Sequence, residues 1–460
     1  MPQDTEPRKP GKRHFAARLR LMRRRVARIR PNTELARSKW LNIVVGVAAL
    51  WSAVVSFVAT SRASLDRAFT DVDKRLHLPL LGHAALTQTA GNLFKVTIVY
   101  RALELELSVV MLGLISATFS LLPAFIAIPL GRYMDRGHDV TVCWTGTGIQ
   151  IFAGIGFLLF PHSIASLFLF TALYGVGHIL NIGASQIICV RSASTERRDF
   201  AFGNYMIANS IGHASGPMLL ALSAVGTAHP PTGFLFAVCV GLAITAFAIA
   251  MIMRPALAAA KSKKDAPSIP LRDLVTMPGI PMLIVVGVIT MTAVELAPVY
   301  LPVLGQETGI TAFSVGLLLT MRSIASLISR IFYASLVRNF GRQPLFIASL
   351  TMSAAGFGAF ALPLPVWVLY CTSAMLGFGI GLATTLSVTS LVNAAPPEAR
   401  ATVVSMRMFG NRVSQIILPA LAGLLASLTG AAGVFAILAV ALGIGSYAVR
   451  RDPKVAQAGR

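Results

Sequence analysis

Charge is scarce in this chain. Asp, Glu, Lys and Arg make up 13% of its 460 residues, where a soluble domain carries about 25%. So little charge over such a length excludes one large soluble protein. Acidic residues are the scarcer sign, 18 against 40 Lys and Arg. Cysteine is nearly missing. The four present, Cys143, Cys189, Cys239 and Cys371, fall in apolar stretches with no metal-ligand spacing. They read as buried thiols acting as small hydrophobes, and say nothing of redox compartment. There is no G-x-x-x-x-G-K loop, no His-rich metal spacing and no soluble segment large enough for catalysis. An enzyme, and ATP-driven transport by this chain alone, are therefore excluded, and no metal or organic cofactor is expected.

What is present is hydrophobic sequence: 55% of residues and a mean hydropathy of +0.71. Stretches of bilayer-spanning length, about 20 residues, are predicted at 41–60, 78–100, 107–130, 140–160, 164–190, 201–225, 232–253, 280–303, 310–333, 344–362, 365–392, 402–427 and 430–449. Their length and Gly/Ala/Ser-rich faces favour helices, which satisfy their backbone groups internally in lipid, over barrel strands. The expected class is an all-α, multi-pass integral membrane protein.

The chain also nearly repeats itself. Thr87-Gln88-Thr89-Ala90-Gly91-Asn92-Leu93 returns as Thr290-Met291-Thr292-Ala293-Val294-Glu295-Leu296, 203 residues later. Glu196-Arg197-Arg198 is matched by Glu398-Ala399-Arg400, and Gly216-Pro217 by Leu418-Pro419, at a spacing of 202. Such a period in an apolar chain predicts two six-helix bundles related by a pseudo-two-fold axis, with a substrate site between them near the bilayer midplane. The predicted organisation is a basic cytoplasmic tail with an extra hydrophobic segment (1–75, the segment at 41–60), an N-terminal bundle (76–253), a cytoplasmic linker rich in Lys and Pro (254–279), a C-terminal bundle (280–450) and a short cytoplasmic tail (451–460).

Charge sets the orientation. With the helix at 78 starting inside, the inside connections carry Arg132, Arg136, Arg191, Arg197, Arg198, Arg338, Arg342, Arg400, Arg450 and Arg451, while the outside ones offer only Arg101. Basic residues stay cytoplasmic. Residues 1–40 hold thirteen Lys and Arg against Asp4, Glu6 and Glu34, a net +10. They are expected on anionic lipid headgroups rather than on nucleic acid. Segment 41–60 has no repeat partner and conflicts with this topology. It lies in the interface or folds back, or else it spans and 78–100, with Lys95, does not. A forty-residue charged leader is too long for a cleaved signal peptide.

After the second core helix the residues become specific. Gly131-Arg132-Tyr133-Met134-Asp135-Arg136-Gly137-His138 resembles the loop signature G-x-x-x-D-R-x-G-R-R of the major facilitator superfamily, with one residue missing after Arg136 and the trailing basic pair replaced by His138-Asp139. A worn copy runs from Ala334 to Gly341-Arg342. Gly203, Gly212 and Gly216-Pro217 on the fifth core helix resemble the glycine motif of that family's drug/proton antiporters, with its final glycine pair replaced by Leu220-Ala221. The resemblance covers residues 76–450. It implies the major facilitator fold, and a conformational latch at Gly131, Asp135, Arg136, Gly341 and Arg342. The other reading of the loop is a plain turn with solvated charges, and of the glycines generic helix packing.

Polar groups inside the spans are the candidate machinery, because a charge at the bilayer centre costs at least about 3 kcal/mol unless paired or wet. Gln88, Asn92 and Lys95 share one face of the first core helix, and Glu295, with Thr292 a turn earlier, holds the position in the seventh that matches Asn92. In the resembled fold these two helices line the cavity, which implies that Lys95 and Glu295 face one another across it. Arg322, Ser326 and Ser329 form a stripe on the eighth helix; His178, Asn181 and Ser185 form one on the fourth. The other reading makes Lys95, Glu295 and Arg322 a structural ion pair fixing helix register, and His178 a packing histidine. The fourth helix of proton-coupled exporters carries an arginine before its glycine pair; here that position is Thr171. Glu295, the only acidic residue in a predicted span, is then the candidate proton carrier.

The expected function is secondary active transport by alternating access: proton-driven efflux of a small amphiphilic compound, by a monomer, in a bacterial inner membrane. Uptake of a small organic anion, suited to Lys95 and Arg322, is the second expectation. A non-transporting sensor that recruits a partner through its basic tail is the third.

Overall fold

The structure, a computed structural model, describes residues 71–134, 138–194, 197–225, 230–253, 277, 279–396 and 400–451. They form helices α1 (Lys74–Glu104), α2 (Val109–Tyr133), α3 (Asp139–Leu159), α4 (Ile164–Arg191), α5 (Arg198–Ser223), α6 (Thr232–Ile252), α7 (Ile280–Thr308), α8 (Ala312–Ile331), the short α9 (Tyr333–Phe340), α10 (Arg342–Phe360), α11 (Val366–Ala394) and α12 (Arg400–Arg451). Gly430, at φ 71°, breaks α12 into two arms, a conformation that glycine adopts without steric cost. Counting those arms separately, the described residues hold twelve long helical segments. The basic tail, segment 41–60, most of the linker, Asp135 and Arg136 lie outside the described residues.

Among the described residues, eight helices are long and apolar enough, by length and composition, to cross a membrane. The long helices α1, α5 and α10 are not among them; α1 and α5 carry polar residues within their spans, Gln88, Asn92 and Lys95 on α1 and Asn209, Ser210 and His213 on α5. The worn copy of the loop signature is not a loop. Tyr333–Phe340 is helical, and the turn is made at Gly341, φ 78°.

The pseudo-symmetry is visible in packing. Gly175 lies against the Phe119 backbone carbonyl, and Gly377 against that of Arg322. Gly177 meets the Gly146 carbonyl as Gly379 meets that of Ser349. Each pair is the other displaced by 202 or 203 residues. Small residues of this kind let helix backbones approach closely where no hydrophobic force drives association. The halves meet in the same way. α2 packs on the first arm of α12, and α8 on α5, the same contact seen from each half.

The outer helix ends repeat too. Glu104, at the end of α1, accepts a 2.6 Å hydrogen bond from the Thr232 hydroxyl at the start of α6. Glu307, 203 residues on, accepts the Ala431 backbone N–H at 2.9 and 3.1 Å. Each carboxylate sits at the N-terminus of the last crossing of its half, where the helix dipole and unpaired N–H groups favour negative charge. Glu307→Ala is expected to cost about 1 kcal/mol of stability, read as a lowered unfolding temperature in detergent with transport unchanged.

Candidate functional site

Glycines bring the two halves into close contact. A Cβ on Gly316 would sit 2.9 Å from the Pro217 carbonyl oxygen and 2.8 Å from the Ala221 nitrogen. Gly113 presses on the Pro419 carbonyl in the same way, and Tyr300 Oη donates to that oxygen at 2.8 Å. Toward the inner end the same faces part. Gly203, Ser210 and Pro217 are spaced by seven residues and share one face of α5. Ser210 is buried and accepts from Arg330 of the other half at 3.3 Å, whereas a Cβ at Gly203 would meet nothing within 4 Å among the described residues.

Beneath these contacts is a narrow open pocket of about 30 Å³ between the halves, lined by residues of α1, α2, α4, α7 and α12. Lys95 Nζ donates to Glu295 Oε2 across it at 2.6 Å. The two side chains keep 18% and 26% of their exposure, so the pair is neither fully dry nor freely solvated. The ammonium also lies 4.8 Å from the centre of the Phe119 ring, where the ring's negative face attracts it. Asn92 is held on the same helix face: its amide donates to the Gln88 carbonyl at 2.9 Å, and its Oδ1 is hydrogen-bonded to His213 Nδ1 at 3.1 Å. Gln88 Oε1 is buried without a hydrogen-bond partner among the described residues. Gly212 and Gly216 make this arrangement possible, since added methyls there would strike Gln88 and Asn92 on α1.

Not every candidate reaches the cavity. Asn181 turns into the N-terminal half, donating to Gln150 Oε1 at 2.8 Å and accepting from Thr147 Oγ1 at 3.0 Å. Thr147 in turn meets His83 Nε2 at 3.0 Å. Thr292 bonds its own helix at the Val288 carbonyl and lines a separate apolar cleft between α7 and α12. The His178 ring is tilted 54° against that of Phe119, ring centres 5.5 Å apart, and abuts Gly91. Arg322 has no hydrogen bond or ion pair among the described residues, and its Nε is buried.

The family model described as Major Facilitator Superfamily matches residues 80–306 and 283–459. The chain belongs to the major facilitator superfamily. Its fold is similar to solved superfamily transporters: a variant of the nucleoside transporter NupG (14% identity, TM-score 0.65, covering 82% of this chain and 99% of that one), a POT family transporter in complex with a thioalcohol-conjugated peptide (13%, 0.65, 85% and 99%) and a D-xylose–proton symporter (14%, 0.63, 82% and 96%). None of the curated proteins matches it. This superfamily member is a multi-pass membrane transporter, not an enzyme.

Within that family frame, the described part of the inner loop region holds a different charge contact from the one the signature implies. Arg191 NH1 pairs with Asp139 Oδ2 at 2.8 Å, and its NH2 reaches the Met134 carbonyl at 3.3 Å. The pair ties the end of α4 to the start of α3 inside one half. Arg342 forms no ion pair among the described residues. Sequence reasoning also passed over His213, Arg330, Arg407 and Arg412. All four are ionisable groups in predicted spans, which was signal enough to find them. His213 lies between the motif glycines, and Arg412 holds the α12 position that matches Ser210. Arg407 belongs to the C-terminal interior, donating to Ser387 Oγ at 3.1 Å.

Proposed function

We propose that this transporter is a proton-coupled exporter in which Lys95 alternates between two anionic partners, the Glu295 carboxylate and the substrate. The observation that carries the reading is the 2.6 Å Lys95–Glu295 pair, which joins the first helix of one half to the first of the other in the cavity wall. While it is made, it helps to hold the outer ends together. A substrate arriving from the inner crevice competes for Lys95 and loosens that tie. The halves then rock, the substrate leaves outward, and Glu295 takes a proton in place of its lost counter-ion. Return to the inward-facing state and release of that proton re-form the pair. In this scheme Glu295 takes its proton only after the substrate has left, and that order makes the exchange an antiport. Pro217 supports the reading by placing its carbonyl in the seal against Gly316. The fold accommodates such coupling, since one neighbour is named a proton symporter. The working unit in this proposal is a monomer in a bacterial inner membrane, its residues 1–40 on anionic headgroups.

The test is flux in proteoliposomes under an imposed proton gradient, using labelled amphiphilic compounds and organic acids. Accumulation that collapses with an uncoupler is expected. Binding with no flux, and signalling lost on deletion of residues 1–60, would replace transport with a sensor.

A further inference from the structure

The charges around the cavity do not balance. Glu295 is the one carboxylate among the described residues of this region, and Lys95 already neutralises it. Three guanidiniums remain. Arg322 has no partner among the described residues and a buried Nε. Arg330 reaches only the Ser210 hydroxyl, at 3.3 Å, and Arg412 only the Gln415 amide oxygen, at 3.1 Å. All three are half-buried. Arg322 and Arg412 lie within electrostatic range of Glu295, and Arg322 and Arg330 within range of His213. Partly desolvated cations without counter-ions are costly inside a bilayer, and such charges mark a substrate path.

The pseudo-two-fold axis adds shape to this charge. Phe119 on α2 and Arg322 on α8 are the same position in the two halves, 203 residues apart, and each presents its backbone carbonyl to the equivalent glycine. Their side chains differ in kind. The N-terminal half contributes the Phe119 ring, with Ile98 beside it in the cavity wall and Val299 opposite. The C-terminal half contributes a guanidinium, with Arg330 two turns further along the same helix. The cavity wall at Phe119, Ile98 and Val299 is apolar, and guanidiniums lie beside it: Arg412 bonds Gln415, which lines it, and Arg330 reaches Ser210 across the halves.

We infer that the substrate is a small organic anion with an apolar body, its carboxylate or phosphate drawn in by Arg322, Arg330 and Arg412 to engage Lys95 and its body against Phe119, Ile98 and Val299. This rests on the transport reading and names the substrate class of that same cavity. Guanidinium forks match both headgroups bidentately, and neither a cation nor a neutral molecule offsets the surplus.

Four probes of matched size test it on the purified full-length protein in detergent: 1-naphthoate, 1-naphthyl phosphate, 1-naphthamide and 1-naphthylmethylammonium. At least one of the two anions should raise the unfolding temperature, since selective binding stabilises the folded state. The larger shift identifies the headgroup. Arg322→Gln and Arg330→Gln should each weaken that anion about tenfold, while Arg322→Lys, which keeps the charge, should lose less. Each variant is compared at its own unliganded unfolding temperature, so a folding defect is read separately. An equal shift from the amide or the ammonium, no shift from either anion, or unchanged affinity in both glutamine variants would overturn the inference. Anion binding without flux in proteoliposomes would instead overturn the transport reading and leave the anion site standing.

Discussion

Glu295→Gln is expected to abolish uncoupler-sensitive accumulation, lowering it by about 100-fold, while the protein folds and still binds its substrate. The side chain keeps its shape, and its amide oxygen can still accept from Lys95 Nζ, now 2.6 Å from Glu295 Oε2. What goes is the charge. A neutral glutamine imitates the protonated carrier permanently, so the step in which proton release re-forms the ion pair cannot occur. Stranding Lys95 without its carboxylate also costs about 3 kcal/mol, roughly the free energy behind that 100-fold factor. The charged groups facing the pair, Arg322, Arg412, His178 and His213, are all cationic or neutral, so none supplies a replacement carboxylate. Flux measured with and without uncoupler, beside binding in detergent, separates coupling from folding. Full uncoupler-sensitive activity in the variant would remove Glu295 from the mechanism.

The fold class was legible in the sequence because each of its determinants is local or periodic. Span length, the excess of inside arginines and the 203-residue period require no knowledge of packing. The same arithmetic placed Asn92 and Glu295 at equivalent positions, and Lys95 one turn beyond. It stopped at side-chain direction. Asn181 lies one turn from His178 on α4, yet it faces Gln150 and Thr147 within its own half. Thr292 lies one turn from Glu295 and faces α12. A helical stripe fixes a face to within a turn. Which neighbour fills that face is decided by helices distant in sequence. The arginines were missed for a different reason. Arg330 stands one residue before the end of α8, where a charge is ordinarily a solvated end, and only the approach of α5 turns it into the crevice. The caps at Glu104 and Glu307 were out of reach because they depend on the outer loops folding back to the start of another helix.

A leucine at Gly316 and a leucine at Gly203 are expected to trap opposite states. At Gly316 the neighbours of an added Cβ are backbone and proline: the Ala221 nitrogen at 2.8 Å, its Cβ at 2.9 Å and the Pro217 oxygen at 2.9 Å. Such atoms cannot move aside as the end of a flexible side chain can. Overpacking of this kind costs typically 1–3 kcal/mol, and the protein avoids it by parting α5 from α8 at the outer end. That moves the equilibrium toward the outward-facing state by about 10- to 100-fold. Gly203 has no neighbour within 4 Å among the described residues, so leucine is tolerated there until that end of α5 tries to close on the other half. It should hold the inward-facing state. Both variants should lose transport. A cysteine at Ser116, in the cavity wall, reports the difference, in a background where the exposed Cys371 is serine. A membrane-impermeant maleimide added outside should label it faster than in the parent when Gly316 is leucine, and slower when Gly203 is. Labelling and flux unchanged by Gly316→Leu would mean that the outer seal lies elsewhere. Identical labelling in the two variants would mean that the α5–α8 face does not part and close at alternate ends, and rocking of one half against the other would lose its geometric basis.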